Sequence, residues 1–217
     1  MVTIIDYGVG GNLTSVKRAL DYLGIPCRIV STGEELRCAE RIIFPGVGHA
    51  AAAMETLKER GLDIALREAF ERGTPILGIC VGAQIVLSHS EEGDTPCLDL
   101  IAGDCPRFQL TDKSLKIPHM GWNEVVVTQS HYILKDVKKG DEFYFVHSYY
   151  PRPSDTSHVF ATCEYEVTFP AAIGHKNLFA TQFHPEKSGR VGLTLLRNFS
   201  QWDFQGSRPT PVGRPGG

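Results

Sequence analysis

The segment Pro75-Ile76-Leu77-Gly78-Ile79-Cys80-Val81-Gly82-Ala83-Gln84 decides the fold class of this chain. A short apolar run that ends in Gly-x-Cys-x-Gly predicts a buried strand turning sharply into a helix, which is the nucleophile-elbow arrangement with sulfur in place of the serine oxygen. The two glycines permit the strained turn and the close approach of another segment or a substrate. A helix N-terminus behind Cys80 favours the thiolate. Cys80 is therefore a candidate nucleophile at the carboxyl edge of a sheet.

Length and composition restrict the class of protein. The 217 residues suit one α/β domain with a substantial core, and 42% of them are hydrophobic, as in globular proteins. No apolar run is long enough for a bilayer span, and the segment from Met1 to Asp6 has none of the features of a signal peptide, so we expect a cytoplasmic protein without a membrane partner. The net charge of −3, without a basic stripe, gives no indication of nucleic-acid binding.

The cysteines indicate neither a zinc ribbon nor a thioredoxin-type redox pair, because no Cys-x-x-Cys pair occurs. In a cytosolic protein most cysteines are reduced, and a buried small hydrophobe is the usual role for any one of them. Only Cys80 has the glycine setting described above. The six are Cys27, Cys38, Cys80, Cys97, Cys105 and Cys163.

Strands and helices alternate before the elbow. Strands are predicted at 2–5, 27–30 and 41–44, and helices from Asn12, over 50–60, and through Ile64 to Ala69 with a stop at Gly73. After the elbow, a turn-rich stretch at 90–106 is followed by closely spaced strands at 125–127, 143–146, 159–163, 171–174 and 179–183, and by a final helix after Ser188.

This order predicts an α/β fold with an open mixed sheet flanked by helices and antiparallel strands in the C-terminal half. We expect one domain over residues 1–204 and a flexible Gly/Pro-rich tail over 205–217.

Two glycine-rich loops follow predicted strands. The turn Asp6-Tyr7-Gly8-Val9-Gly10-Gly11 lacks the spacing of a nucleotide cradle, so we interpret it as a structural turn or an interface loop. The loop Pro45-Gly46-Val47-Gly48-His49 can turn backbone N–H groups toward a ligand at the edge where open α/β sheets place their sites. An oxyanion-binding loop and a simple tight turn before the next helix are equally compatible with this segment alone.

A nucleophile needs a base, and His184 in Gln182-Phe183-His184-Pro185-Glu186 is the candidate among eight histidines. A histidine at the end of a strand, with a carboxylate two residues later, can act as a base whose second ring nitrogen is held by that carboxylate. A lone His-Pro-Glu is more often a surface turn, but the elbow favours a Cys80-His184-Glu186 triad. A zinc site of Cys, His and Glu is less favoured, because ligand pairs at the usual spacing are missing and a helix N-terminus repels a cation.

On these residues the chain resembles the class I glutamine amidotransferases, and more narrowly the glutaminase subunits of imidazole glycerol phosphate synthase, an enzyme of histidine biosynthesis. The resemblance runs from residue 2 to about residue 202. The matching motifs are the elbow, Asp6-Tyr7-Gly8, Gly11-Asn12-Leu13, Pro45-Gly46-Val47-Gly48-His49, His119-Met120-Gly121-Trp122-Asn123, Phe145-Val146-His147-Ser148-Tyr149 and His184-Pro185-Glu186-Lys187-Ser188-Gly189. The chain departs from the family at Ala83, where methionine is usual, and by one extra glycine near 10–11.

The resemblance implies hydrolysis of L-glutamine to glutamate and ammonia without a cofactor or metal. It assigns the catalytic role to Cys80, His184 and Glu186. It assigns oxyanion binding to the backbone of Gly46, Val47, Gly48 and Val81, and places the two ends of the free amino acid against Gln84, Glu92, Ser148 and Tyr149.

The resemblance also implies a heterodimer in which ammonia passes through a channel to a (β/α)₈-barrel synthase, which forms imidazole glycerol phosphate and aminoimidazole carboxamide ribotide. Interface positions carried over from the family are Asn12, Trp122, Asn123, Tyr144 and Lys187. Two other functions remain open at this stage: the glutaminase component of another biosynthetic amidotransferase, and a non-catalytic α/β binding module.

Overall fold

The computed structural model describes residues 1–8 and 12–204. Its strands are β1 (Val2–Ile5), β2 (Cys27–Val30), β3 (Ile42–Gly46), β4 (Ile76–Cys80), β5 (His89–Ser90), β6 (Thr95–Pro96), β7 (Gly103–Cys105), β8 (His119–Glu124), β9 (Val126–Val127), β10 (Glu142–His147), β11 (Arg152–Pro153), β12 (Val159–Tyr165), β13 (Val167–His175) and β14 (Leu178–Thr181). Its helices are α1 (Asn12–Tyr22), α2 (Gly33–Leu36), α3 (Ala50–Glu59), α4 (Leu62–Glu71), α5 (Val81–Gln84) and α6 (Gly189–Gln201).

The main sheet has the order β2-β1-β3-β4-β14-β13-β12-β9. The strands from β2 to β14 in that order are parallel, whereas β13, β12 and β9 continue the sheet with antiparallel neighbours. Every residue of β1, β3, β4 and β14 is buried, which is why these strands are continuous apolar runs in the sequence. The predicted mixed α/β fold is confirmed, and β4 and β14 lie side by side near its centre.

The adjacency of β4 and β14 positions the site. Parallel strands end at the same edge of a sheet, so the residues that follow Cys80 and Thr181 meet there. Gly46, at the end of β3, pairs with Cys80 from the other side. Three segments that are far apart in the sequence therefore converge at one edge.

The helix stop predicted at Gly73 is confirmed. This residue has φ +77°, its N–H donates to the carbonyl of Phe70, and the next N–H donates to the carbonyl of Ala69. A glycine in the left-handed region is the common way to end a helix. The chain is thereby turned into β4 and the elbow.

The elbow helix α5 is a single turn that ends at Gln84. The carbonyls of Ile85 and Val86 accept hydrogen bonds from Leu98, Leu100 and Ile101 instead of from a continuing helix. The macrodipole of a long helix is therefore missing behind Cys80, and the free N–H groups of a single turn remain.

Two smaller sheets follow the elbow. One has the order β11-β7-β5-β6, and its strands β6 and β7 lie within the stretch at 90–106 that the sequence indicated as turn-rich. The other is an antiparallel ribbon of β8 and β10, in which Trp122 pairs with Tyr144 and His119 with His147. Strand β8 was not predicted, because its sequence His-Met-Gly-Trp-Asn-Glu has a central glycine and little β-branched character.

Two predicted features lie outside the described residues, namely the extra glycine near 10–11 and the tail over 205–217. Among the helices in residues 1–8 and 12–204, none has both the length and the apolar character needed to cross a membrane.

Candidate active site

The nucleophile elbow forms as the sequence predicts. Cys80 ends β4 with φ +56° and ψ −106°, a conformation that non-glycine residues rarely adopt and that active sites retain at an energetic cost. A Cβ atom at Gly82 would lie 2.2 Å from the carbonyl oxygen of Phe44, so only glycine lets the elbow pack against β3. The Cys80 side chain is buried and faces the cavity described below.

His184 and Glu186 follow β14 and form a buried pair. His184 Nδ1 is 2.8 Å from Glu186 Oε1, and both side chains are fully buried. The backbone of His184 is held by three bonds: its N–H donates to the carbonyl of Tyr144, and its carbonyl accepts from the hydroxyl of Ser188 and from the N–H of Lys187. This arrangement fixes the imidazole on a rigid backbone.

Opposing effects set the protonation of His184. Burial lowers the pKa of its imidazole, but the influence of the nearby Cys80 sulfur, followed by that of Glu186, outweighs burial and raises the pKa to about 10. The raised pKa of the imidazole favours its protonated form beside Cys80. Within the described residues Nε2 has no hydrogen-bond partner that meets ordinary geometry, so it is the ring nitrogen available to the sulfur and to substrate.

Asn12 contacts the same imidazole and was predicted only as an interface position. Its Nδ2 atom is 3.2 Å from His184 Nδ1, which already donates to Glu186. The Asn12 Nδ2 group and the His184 Nδ1–H group are both donors and cannot bond each other, so we assign the amide rotated by a half-turn, with Oδ1 facing Nδ1. Oδ1 otherwise has no partner in the part of the chain that the structure describes. Asn12 and Glu186 together hold the Nδ1–H form of the ring.

A cavity of about 230 Å³ opens beside the Cys80 sulfur. It brings together three of the four predicted oxyanion residues and all four predicted substrate-binding residues. Three further residues were not predicted. Its lining consists of Val47, Gly48, Cys80, Val81, Gln84, Glu92, Pro118, Val146, His147, Ser148 and Tyr149. The fourth oxyanion residue, Gly46, lies next to Cys80 in the sheet register.

The loop after β3 has backbone N–H groups that are free to bind a ligand. Gly48 has φ +101°, and neither its N–H nor that of Val47 donates a hydrogen bond to any described residue. The loop leads into α3, whose first N–H, at Ala50, donates to Glu92 Oε2 at 2.7 Å. Unsatisfied N–H groups beside the nucleophile can stabilise a developing negative charge.

Gln84 lines the cavity, and its side-chain amide is also held by neighbouring residues. Its Nε2 donates to the carbonyl of Tyr149 at 2.9 Å and to Gln182 Oε1 at 3.0 Å, so both amide protons are already used. Gln182 in turn donates to Cys80 Sγ at 3.7 Å. Gln182 was not predicted as a site residue; its position two residues before His184 was the available signal.

Among the predicted interface residues, the two aromatic side chains and the lysine lie close together, whereas the two asparagines are buried or partly buried. Trp122 is 53% exposed and packs edge-on against Tyr144, whose ring lies 6.5 Å from that of His184. Lys187 places Nζ 6.0 Å from the Tyr144 ring. Asn12 is buried, and Asn123 is partly buried and donates to the carbonyl of Glu164.

The site holds no recognisable cluster of metal ligands. Within the described residues, no group of three or more His, Cys, Asp or Glu side chains has an arrangement that could hold a metal ion. All six cysteines are free thiols. Ala83 is fully buried and does not line the cavity.

Comparison with known proteins decides the family. The model of the family "Glutamine amidotransferase class-I" matches residues 3–201. The chain belongs to this family. The amidotransferase is 50% identical over 207 residues to the imidazole glycerol phosphate synthase subunit HisH of Nitratidesulfovibrio vulgaris, covering 93% of this chain and 96% of that protein. It is 46% identical over 200 residues to the HisH subunit of Dehalococcoides mccartyi, with coverage of 92% and 96%.

Solved structures confirm the fold of this amidotransferase. PurLQS from Thermotoga maritima superposes with a TM-score of 0.71 at 20% identity, covering 92% of this chain and 97% of that one. The glutaminase domain of the Trypanosoma brucei protein CTPS, solved with bound acivicin, gives a TM-score of 0.59 at 14% identity, with 94% of each chain covered.

Proposed function

We propose that this amidotransferase is the glutaminase subunit of an imidazole glycerol phosphate synthase, hydrolysing L-glutamine to glutamate and ammonia. The observation that carries the proposal is that Cys80 lines a cavity large enough for a free amino acid, while the buried His184–Glu186 pair lies close enough to Cys80 for its charge to raise the pKa of the imidazole. The identity of about half of all residues to HisH subunits, over nearly the whole chain, supports the specific pathway.

The first half-reaction forms a thioester. The Cys80 thiolate attacks the side-chain carbonyl carbon of glutamine, and the backbone N–H groups of Val81 and of the loop at Val47 and Gly48 bind the resulting oxyanion. The carbon–nitrogen bond breaks as His184 Nε2–H gives its proton to the departing nitrogen, which leaves as ammonia. One oxyanion donor of this kind contributes about 3 to 4 kcal/mol of transition-state stabilisation in other enzymes.

The second half-reaction regenerates the enzyme. Water attacks the glutamyl thioester, His184 accepts a proton from it, and the carbon–sulfur bond breaks to release glutamate and the Cys80 thiolate. Glu186 stabilises the imidazolium in both halves. Glu92 lines the cavity and has a carboxylate oxygen not used by Ala50, which suits it to the α-ammonium group of the substrate.

The useful product is ammonia, which would become ammonium in bulk water. We therefore propose delivery to a (β/α)₈-barrel synthase that docks against the exposed face of the β8–β10 ribbon, where Met120 is 62% and Trp122 53% exposed next to Tyr144. Exposed aromatic and methionine side chains of this kind are enriched at protein interfaces. The complex is then a lyase-type heterodimer, and the six free thiols favour the reducing cytoplasm as its location.

The decisive experiment mixes the protein with a candidate barrel synthase and measures glutamate release with and without the nucleotide substrate of that synthase. We expect release to be strongest in the complete mixture and to be lost in Cys80→Ser, a variant that changes one atom. Release by Cys80→Ser at the wild-type rate would refute the mechanism. Release that responds only to a different biosynthetic synthase would favour another amidotransferase, and no release with any synthase would favour a binding module.

A further inference from the structure

A pair of buried histidines lies outside the triad and has no part in the proposed half-reactions. His119, on β8, is 3% exposed, and His147, at the end of β10, is 5% exposed. His119 Nδ1 is 3.0 Å from His147 Nε2. The rings pack among aromatic side chains: His119 stacks on Tyr165 at 4.1 Å and on Phe145 at 4.9 Å, and Phe108 lies 5.2 Å from His147.

The donor and the acceptor in each hydrogen bond of this pair can be assigned. His147 Nδ1 is 2.7 Å from the carbonyl oxygen of Tyr149, which can only accept, so Nδ1 carries a proton. Burial is the main cause that lowers the pKa of His147, to about 3, and of His119, to about 4, so both rings are neutral. His147 Nε2 therefore accepts from His119 Nδ1–H, and His119 Nε2 is left as an acceptor facing the amide of Asn123 at 3.4 Å.

The carbonyl of Tyr149 is where this chain of bonds reaches the cavity. It accepts from His147 on one side and from Gln84 Nε2 on the other, at 2.7 Å and 2.9 Å. Both lone pairs are thus occupied. Tyr149 and its neighbour Ser148 line the cavity beside Cys80, and these two bonds, together with the bond from the Phe108 N–H to the Ser148 carbonyl, hold this wall.

We propose that His147, supported by His119, is a positioning residue that holds the Ser148–Tyr149 wall of the glutamine cavity in its substrate-binding position. The inference rests on the proposed glutaminase function for the identity of the ligand. His147 lines the cavity but contacts neither Glu186 nor Cys80 by a hydrogen bond within the described residues. Its loss therefore affects substrate binding more than the chemical step.

The matched variants separate the two bonds of His147. His147→Phe keeps an aromatic ring among Phe108 and Phe169 but removes both bonds. In His147→Asn the side-chain amide occupies the place of Nδ1 and keeps the bond to Tyr149, whereas in His147→Gln it occupies the place of Nε2 and keeps the bond to His119. The last variant also serves if the phenylalanine variant does not fold.

Glutamine turnover of the complex with the barrel synthase gives KM and kcat for each variant, and thermal denaturation gives Tm. We expect KM to rise about fivefold in His147→Phe and His147→Gln, the effect of losing about one hydrogen bond, with kcat within about twofold of wild type. We expect KM in His147→Asn to return to within about twofold. An unchanged KM in His147→Phe and His147→Gln, or an equal rise in His147→Asn, overturns the proposal.

Calorimetric binding of glutamine to the same variants in the Cys80→Ser background keeps this inference separate from the proposed function. Weaker binding in His147→Phe with recovery in His147→Asn supports the positioning role even if the wild-type complex releases no glutamate. Equal affinities in all variants overturn it even if the wild-type complex is an active glutaminase.

Discussion

Two buried histidines beside the same cavity have opposite pKa shifts. His184 has a pKa raised to about 10, because the Cys80 thiolate and Glu186 outweigh its burial. Burial is the main cause that lowers the pKa of His147 to about 3, and its bonded partners, a carbonyl and another imidazole, carry no negative charge. Burial alone does not decide the charge of a histidine; the charge of its neighbours does. The first ring is equipped to move protons and the second to hold a fixed orientation.

The largest expected effect comes from removing the anion behind His184. Glu186→Gln keeps the shape and an acceptor for Nδ1–H but removes the charge that stabilises the imidazolium. We expect kcat/KM of the complex to fall by about a hundredfold or more, by comparison with neutralised triad carboxylates elsewhere. Glu164→Gln is a control, since Glu164 bonds Thr168 on β13. Equal activities of the two variants would show that Glu186 is only structural.

The contrast between the two rings is directly visible by NMR of labelled histidine. Cys80→Ser removes the thiolate, the largest cause that raises the pKa of His184, so we expect this pKa to fall by at least about one pH unit, a tenfold change in proton affinity. His147 should remain neutral from pH 5 to 9 in both proteins. Titration of His147 in that range would break the comparison.

The two histidines also give opposite contributions to the pH dependence of stability. The pKa of His147 in the folded state is below its unfolded value of about 6.5, so the unfolded state binds more protons below pH 6.5 and the free energy of unfolding falls toward pH 3. The pKa of His184 is raised in the folded state, so the stability that His184 contributes is lost as pH rises from about 6.5 to about 10. Each contribution is at most about 1.4 kcal/mol per pH unit.

Urea unfolding of wild type and His147→Phe from pH 5 to 7 measures the first slope. We expect the free energy of unfolding of the variant to depend less steeply on pH than that of wild type. Parallel curves would mean that His147 is already protonated in the folded state or titrates alike in both states.

The smallest expected effect concerns Asn12. Asn12→Ala removes the second acceptor at His184 Nδ1 and leaves Glu186 in place, so we expect kcat to fall about fivefold with KM unchanged. Asn12→Asp retains an acceptor oxygen and should recover part of the loss. A fall in binding of the barrel synthase at constant kcat would instead assign Asn12 to the interface alone.

The sequence predicted the parts of the molecule that depend on local patterns. Buried apolar runs located β1, β3 and β4, and the glycines around Cys80 predicted the elbow, because each signal lies within about ten residues. Seven of the residues that line the cavity with Cys80 were predicted through a family resemblance, whereas Pro118, Val146 and His147 were not predicted.

Features that depend on distant contacts could not be predicted. Asn12 meets His184 across 172 positions of sequence, and His119 meets His147 across 28, with no local pattern that indicates either contact. The single turn of α5 depends on carbonyls that bond to the segment 98–101. Strand β8 exists because it pairs with β10, although its own residues have low strand propensity.

The most direct test of the account is to label the complex with a diazoketone analogue of glutamine and to map the adduct by peptide mass spectrometry. The protein has six cysteines, so the five others are internal controls. We predict one adduct, on Cys80, that excess glutamine prevents and that Cys80→Ser lacks. An adduct on another cysteine, or no adduct on Cys80 in an otherwise folded complex, would contradict the assignment of Cys80 as the nucleophile.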